Sequence, residues 1–214
     1  MASSLRAALI YRSETGYQMD LAIPYQKLEV GKIHIVPQPN GYLPFHYKDG
    51  AMELHKLFVI TPFLTVANYN SQNGRLDFEP CENTIFMGKI GALQEVLKAT
   101  LLSAQRSLYF DGADLTQESI ERNFKNLLYN GRLSCYINLN QTAIKVHTAD
   151  GISWEPPASG IFQTGRKLRL CLKFSGLKKL VFNNSGGRGG RSSGDGFQYR
   201  IDHALAAVYL PTGA

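Results

Sequence analysis

Apolar and polar positions alternate with two different periods along this chain. Residues 1–83 read as short strands broken by turns. GKIHIV (31–36) alternates as a half-buried strand does. Pro37 to Asp49 carries three prolines and Asn40-Gly41, which predicts loop or turn. MELHKLFVITPFLTV (52–66) is long, apolar and β-branched, and Pro62 breaks it or sets it at a sheet edge. Asn73-Gly74 lies between LTVANY and RLDF and predicts a hairpin turn.

Between residues 84 and 108 the period becomes helical. Ile85, Phe86, Ile90, Leu93, Val96, Leu97, Leu101, Ala104 and Leu108 recur at three- and four-residue spacing. They predict one buried helix face, capped by Asn83 or Thr84. A second helix is expected over 116–129. Thr116 would cap it, Glu118 and Glu121 would sit at its positive end, and Ile120, Phe124, Leu127 and Leu128 would form its buried stripe. Asn130-Gly131 would end it.

Past Gly131 the period returns to two. In RLSCYINLN (132–140), Leu133, Cys135, Ile137 and Leu139 face one way and Arg132, Ser134, Tyr136 and Asn138 the other. TAIKVHT (142–148) is expected to pair with this strand, and WEPPASG (154–160) reads as a loop holding the only tryptophan. KLRLCLKFSG (167–176) is the clearest signal. Leu168, Leu170, Leu172 and Phe174 line one face; Lys167, Arg169, Cys171 and Lys173 line the other, at successive spacings of about 6.6–7 Å. FQYRIDHALAAVYL (197–210) is again strand-like. The intervening NNSGGRGGRSSGDG (183–196) therefore joins two core-bearing strands. It predicts a flexible hairpin tip within a single domain of residues 1–214.

Composition sharpens this picture in two ways. Apolar residues make up 44% of the chain, enough to bury a sizeable core, yet no apolar run is long enough for a transmembrane helix, so no membrane partner is expected. The opening MASSLRAALIYRSE lacks the apolar core of a secretory signal and reads as an ordinary first element. Cys81, Cys135 and Cys171 are odd in number and widely spaced. That pattern points to a reducing, intracellular compartment, host cytoplasm or nucleus for a viral protein, and away from a disulfide scaffold or zinc site. Two glycosylation-type triplets, Asn140-Gln-Thr142 and Asn183-Asn-Ser185, carry little weight without a signal peptide.

Charge is the second change. The net charge is +6, and its distribution is uneven. Gly165 to Ala214 carries nine basic against two acidic residues; the first 164 residues carry fourteen against fifteen. A basic field confined to the last quarter implies a polyanionic partner, or else a solvated face. Catalytic patterns are missing. The glycine stretch fits neither G-x-x-x-x-G-K-[ST] nor G-x-G-x-x-G and leads into a strand. His34, His46, His55, His147 and His203 are scattered, and Asp202 and His203, adjacent in a strand, point to opposite faces. Neither enzyme activity nor a cofactor is expected.

A binding chemistry remains. Cations along a strand, arginines on a glycine-rich backbone and nearby aromatics can hold phosphates and stack bases without choosing sequence. The expected contacts are Lys167, Arg169, Lys173, Lys178, Lys179 and Arg200 on phosphates, Arg188 and Arg191 closing over the strand, and Tyr199, Phe197, Trp154 or Tyr136 stacking on bases.

The order of elements resembles the single-stranded-DNA-binding proteins of large double-stranded DNA viruses. The resemblance lies in the helix FMGKIGALQEVLKATLL, the strand RLSCYINL and the closing pair KLRLCLKFSGLKKL and FQYRIDHAL, across residues 50–210. It implies an OB-type barrel elaborated with helices, coating displaced strands cooperatively in replication or recombination. The chain departs from many such replication proteins in ending AVYLPTGA, without an acidic tail, so recruitment of replication partners lies outside the resemblance. The expected fold is thus a β-rich α+β domain, an OB-like antiparallel barrel or sandwich with two helices. The expected function is a single-stranded nucleic-acid binder, as a homo-oligomer or cooperative filament. The alternative is a capsid or nucleocapsid subunit of β-sandwich type, suggested by many short strands and high tyrosine content.

Overall fold

The computed structural model describes residues 8–13, 16–35, 38, 42–50, 52–54, 56–104, 116–138, 140, 143–157, 160–181 and 197–211. Its strands are β1 (Ala8–Ser13), β2 (Gly16–Pro24), β3 (Ile33–Ile35), β4 (Leu43–Asp49), β5 (Met52–Leu54), β6 (Leu57–Ile60), β7 (Leu64–Asn70), β8 (Arg75–Phe78), β9 (Phe124–Lys125), β10 (Leu128–Tyr129), β11 (Arg132–Tyr136), β12 (Ile144–Thr148), β13 (Gly151–Glu155), β14 (Lys167–Val181) and β15 (Phe197–Tyr209). Helices α1 (Thr84–Ala104) and α2 (Gln117–Asn123) lie between β8 and β9. The chain is β-rich and α+β, as expected.

One large sheet runs β1-β2-β6-β14-β7-β8-β11-β10, with β15 along the other flank of β14 and β12, β13 and β9 attached through β15. Among the described strands the path does not close into a barrel. Nor is the sheet all antiparallel: β2 with β6, β12 with β15 and β9 with β15 are parallel pairs. The long strand β14 organises the rest, pairing with β15, β4, β6 and β7. Its alternation explains this. Leu168, Leu170, Leu172 and Phe174 are fully buried, so one face is committed to the core along its length. Bulges follow Cys171 and Phe174, where the β14–β15 register shifts. The pairing continues to Val181 opposite Phe197, so 183–196 joins the two arms of a hairpin; its own residues lie outside those described.

The Asn73-Gly74 hairpin forms between β7 and β8. The Asn70 side chain accepts from the Gln72 amide, and Gly74 takes the left-handed φ of 71°. Pro62 lies in the break between β6 and β7. Helix α1 buries Phe86, Ile90, Leu93, Leu97 and Leu101, whereas Ile85 and Val96 stay exposed beside that stripe. Ala104 ends it, and Leu108 lies outside the described residues. Asn83 caps it: its Oδ1 accepts from the Phe86 amide at 2.9 Å, and its Nδ2 donates to the Tyr25 hydroxyl at 2.9 Å. Asn83→Ala is expected to cost about 1 kcal/mol, seen as a fall of about 2–4 °C in Tm for a chain of this size.

Several expectations change. Leu43–Asp49 is a strand, not loop, because Leu43, Phe45 and Tyr47 alternate into the core and Pro44 sits where β4 meets β14. The second helix stops at Asn123. Thr116 caps it as expected, accepting from the Ser119 amide at 3.1 Å, but Phe124–Lys125 and Leu128–Tyr129 are strands. Asn130 and Gly131 (φ 49° and 72°) turn the β10–β11 hairpin and do not cap a helix. β12 pairs with β13 and β15, not with β11. Trp154 lies in strand β13, not in a loop.

Cys81, Cys135 and Cys171 are all buried, and none is joined in a disulfide. Burial pushes the Cys135 thiol up to about 12. Among the described residues no helix is long and apolar enough to cross a membrane.

Candidate nucleic-acid interface

Three strands set three cations abreast. β9 pairs in parallel with β15, placing Lys125 opposite Arg200. β15 pairs antiparallel with β14, placing Arg200 opposite Lys178. Lys125, Arg200 and Lys178 therefore form one row, with strands about 4.8 Å apart. Like charges directly opposite are unfavourable, and the row is only partly neutralised. Lys178 pairs with Asp202. Among the described residues, Lys125 and Arg200 have no ion-pair partner.

This row opens onto a groove of about 750 Å³. Its other wall is the β8–β11 pair, where Asp77 faces Ser134 and Arg75 faces Tyr136. The β10–β11 turn adds Tyr129 opposite Arg132. Five cations (Arg75, Lys125, Arg132, Lys178 and Arg200) line the groove against the carboxylates Asp77 and Asp202. Asp77 is engaged from both sides: it accepts from Arg75 Nε at 2.9 Å and from the Ser134 hydroxyl. That contact raises the Arg75 guanidinium above its ordinary value. Arg132 lies 3.6 Å from Glu79, an exposed pair of little energetic weight. Tyr129 and Tyr136 are 73% and 53% exposed, so their rings are open to a partner.

Two contacts hold the groove in shape. The Leu127 amide donates to Gln94 Oε1 of α1 at 2.8 Å, anchoring the segment that carries Lys125 and Tyr129. His203 bridges β15 to β11, its ring nitrogens lying 3.1 Å from the carbonyls of Ile201 and Ser134. Asp202 turns away to Lys178, so the two neighbours form no dyad.

Of the residues expected to bind, Lys178, Arg200 and Tyr136 line this groove. Lys179 alternates to the other face and lies 4.6 Å from the Phe197 ring. Phe197 is half-buried against the core, and Tyr199, 1% exposed, is a core residue with no ring face to present. Lys167, Arg169 and Lys173 occupy the opposite half of β14, and Trp154 lies on β13. Arg188 and Arg191 lie outside the described residues. Arg75, Lys125, Arg132 and Tyr129 were not anticipated. The signal that could have found them was Asn130-Gly131, whose reading as a hairpin turn puts Tyr129 and Arg132 side by side.

Among the described residues, no group of three or more His, Cys, Asp or Glu side chains gathers to hold a metal. Compared with known protein families, curated proteins and solved structures, the chain matches none.

Proposed function

We propose that this chain is a non-enzymatic, sequence-tolerant binder of single-stranded nucleic acid, acting on single-stranded DNA in replication or recombination inside the cell. The observation that carries the reading is the row Lys125–Arg200–Lys178, two of its cations without a counter-charge among the described residues, opening onto a groove edged by two exposed tyrosines. A polyanion relieves the repulsion along the row, and every base presents a π-face to stack on Tyr129 or Tyr136. Nothing in this arrangement depends on base identity. Kinship with the viral strand-binding proteins, an OB-type ancestry and cooperative coating of strands belong to the same proposal.

The test is fluorescence anisotropy with labelled single-stranded oligonucleotides at about 50 and about 300 mM salt, since each phosphate contact steepens the salt dependence. Binding is expected to weaken sharply at the higher salt. Tyr129→Ala and Tyr136→Ala should each weaken it by about tenfold, the loss of one stacked base, while a phenylalanine at either position keeps the affinity. No binding at low salt, together with particles in electron micrographs, would instead favour the shell-subunit reading.

A further inference from the structure

The opposite end of the β14–β15 ribbon carries a second row. Arg169 faces Tyr209, Tyr209 faces His147, and His147 faces Ile152, so the four lie abreast on β14, β15, β12 and β13. One step along, Lys145 faces Trp154 on the same side. The centre of this sheet face is closed, with Cys171 and Ala207 buried among Ala22, Phe58 and Ile60. Its rim is open. Trp154 and Ile152 are 62% and 58% exposed, Lys167 is exposed, and Phe63 is exposed beneath the Arg169 guanidinium, 4.9 Å from it. Along these rows the register places cations and aromatics but no carboxylate.

A second feature marks the row as unfinished. Among the described residues, Arg169 Nε, Tyr209 Oη and His147 Nε2 are buried atoms without a hydrogen-bond partner. Tyr209 and His147 are stacked with ring centroids 4.3 Å apart, so neither group supplies the other. Native structures rarely leave such atoms unmatched. All three belong to side chains that are themselves partly exposed, so a ligand laid across the row can reach them after a rotamer change.

We infer that this rim is a second contact for the same nucleic-acid strand, with Trp154 and Phe63 as stacking platforms and Lys145, Lys167 and Arg169 on the phosphates. The inference rests on the single-strand reading of the groove. Charge selects the occupant: cations interleaved with aromatics and free of carboxylates suit a polyanion with planar bases. Nine residues of β14 separate Arg169 from Lys178, about 30 Å of strand. A nucleic-acid strand spanning both sites would cover about 5 nucleotides when fully extended and about 9 at stacked spacing, within the range of single binding folds.

Trp154 is the only tryptophan in the chain, so its fluorescence reports this contact alone. The experiment titrates the full chain with oligothymidylates of about 4 and about 16 nucleotides, one too short to span both sites and one long enough. The longer oligomer is expected to quench Trp154 and to bind at least about tenfold more tightly than the shorter one. Lys145→Glu with Lys167→Glu should remove that gain and leave the affinity for the short oligomer unchanged. Unchanged tryptophan fluorescence with the long oligomer, while the short one still binds, would overturn the second contact and leave the groove standing. Affinity for the short oligomer that is insensitive to Lys125→Glu with Arg200→Glu would overturn the groove and, with it, the spanning strand. Absence of binding at both lengths would end both readings together.

Discussion

Reversing Lys125 and Arg200 together to glutamate is expected to lower single-stranded DNA affinity by at least about 100-fold at low salt. The two occupy neighbouring positions on β9 and β15 and are the groove cations that lack a counter-charge among the described residues. Each reversal removes one attraction to phosphate and adds one repulsion. Neutral replacements, Lys125→Gln with Arg200→Gln, should give a smaller loss and flatten the plot of log affinity against log salt by about 1.4, from about 0.7 per phosphate contact on single strands. Both side chains reach solvent, Lys125 being exposed and Arg200 half-buried, so the fold does not depend on them. With glutamine at both positions, relief of like-charge repulsion within the row should leave the melting temperature unchanged or raise it slightly. Anisotropy and a thermal melt on the same sample check both parts. Wild-type affinity in the reversed variant would remove the groove from consideration as the site.

The largest effect on stability is expected from Gly176→Ala. Gly176 is buried where β14 meets β4, opposite Pro44. A Cβ there would drive into the Leu43 carbonyl oxygen and lie 2.9 Å from both Pro44 Cα and Tyr42 Cζ. Two of these three neighbours are backbone atoms, so little can move aside. The cost is one of space and not of backbone conformation, since Gly176 is not among the positive-φ glycines. Overpacking at such a point costs about 3 kcal/mol, or a fall of about 6–12 °C in Tm for a chain of this length. Gly88→Ala is the matched control. Gly88 lies inside α1, and an added methyl there would meet nothing within 4 Å, so the same substitution should be neutral or stabilising by up to about 1 kcal/mol. Similar melts for the two variants would show that β4 does not press against β14 at Gly176.

Much of the local structure was legible in residue order. Leu168, Leu170, Leu172 and Phe174 announced a strand with one buried face, and Phe86, Ile90, Leu93, Leu97 and Leu101 a helix with one buried stripe. Asn83 and Thr116 were readable as caps because short polar side chains satisfy free amides at helix starts. The misreadings share a cause. Asn130-Gly131 supplies two left-handed residues, which suit a tight hairpin as well as a helix end. The apolar spacing of Phe124, Leu127 and Leu128 then fitted a helix, although each residue instead packs from a short strand or turn. Pro44 suggested a loop, yet a proline is tolerated in a strand where its missing amide proton has no ladder partner.

By itself, then, the sequence determined what is local: the strand β14 and the helix α1 with their buried faces, where the caps and the Asn73-Gly74 hairpin lie, and that positive charge gathers in the last quarter. Period, propensity and charge count depend only on neighbours along the chain. The tertiary structure decided which cations act together. Lys125, from a segment with no basic excess, reaches Arg200 only through the parallel β9–β15 pairing, and Lys178 reaches it only through the β14–β15 register. It also decided that Tyr199 belongs to the core and that Tyr129 and Tyr136 stand open. Strand partners far apart in sequence are selected by burying one continuous apolar face, and no local pattern encodes which polar residues that burial brings abreast on the other side.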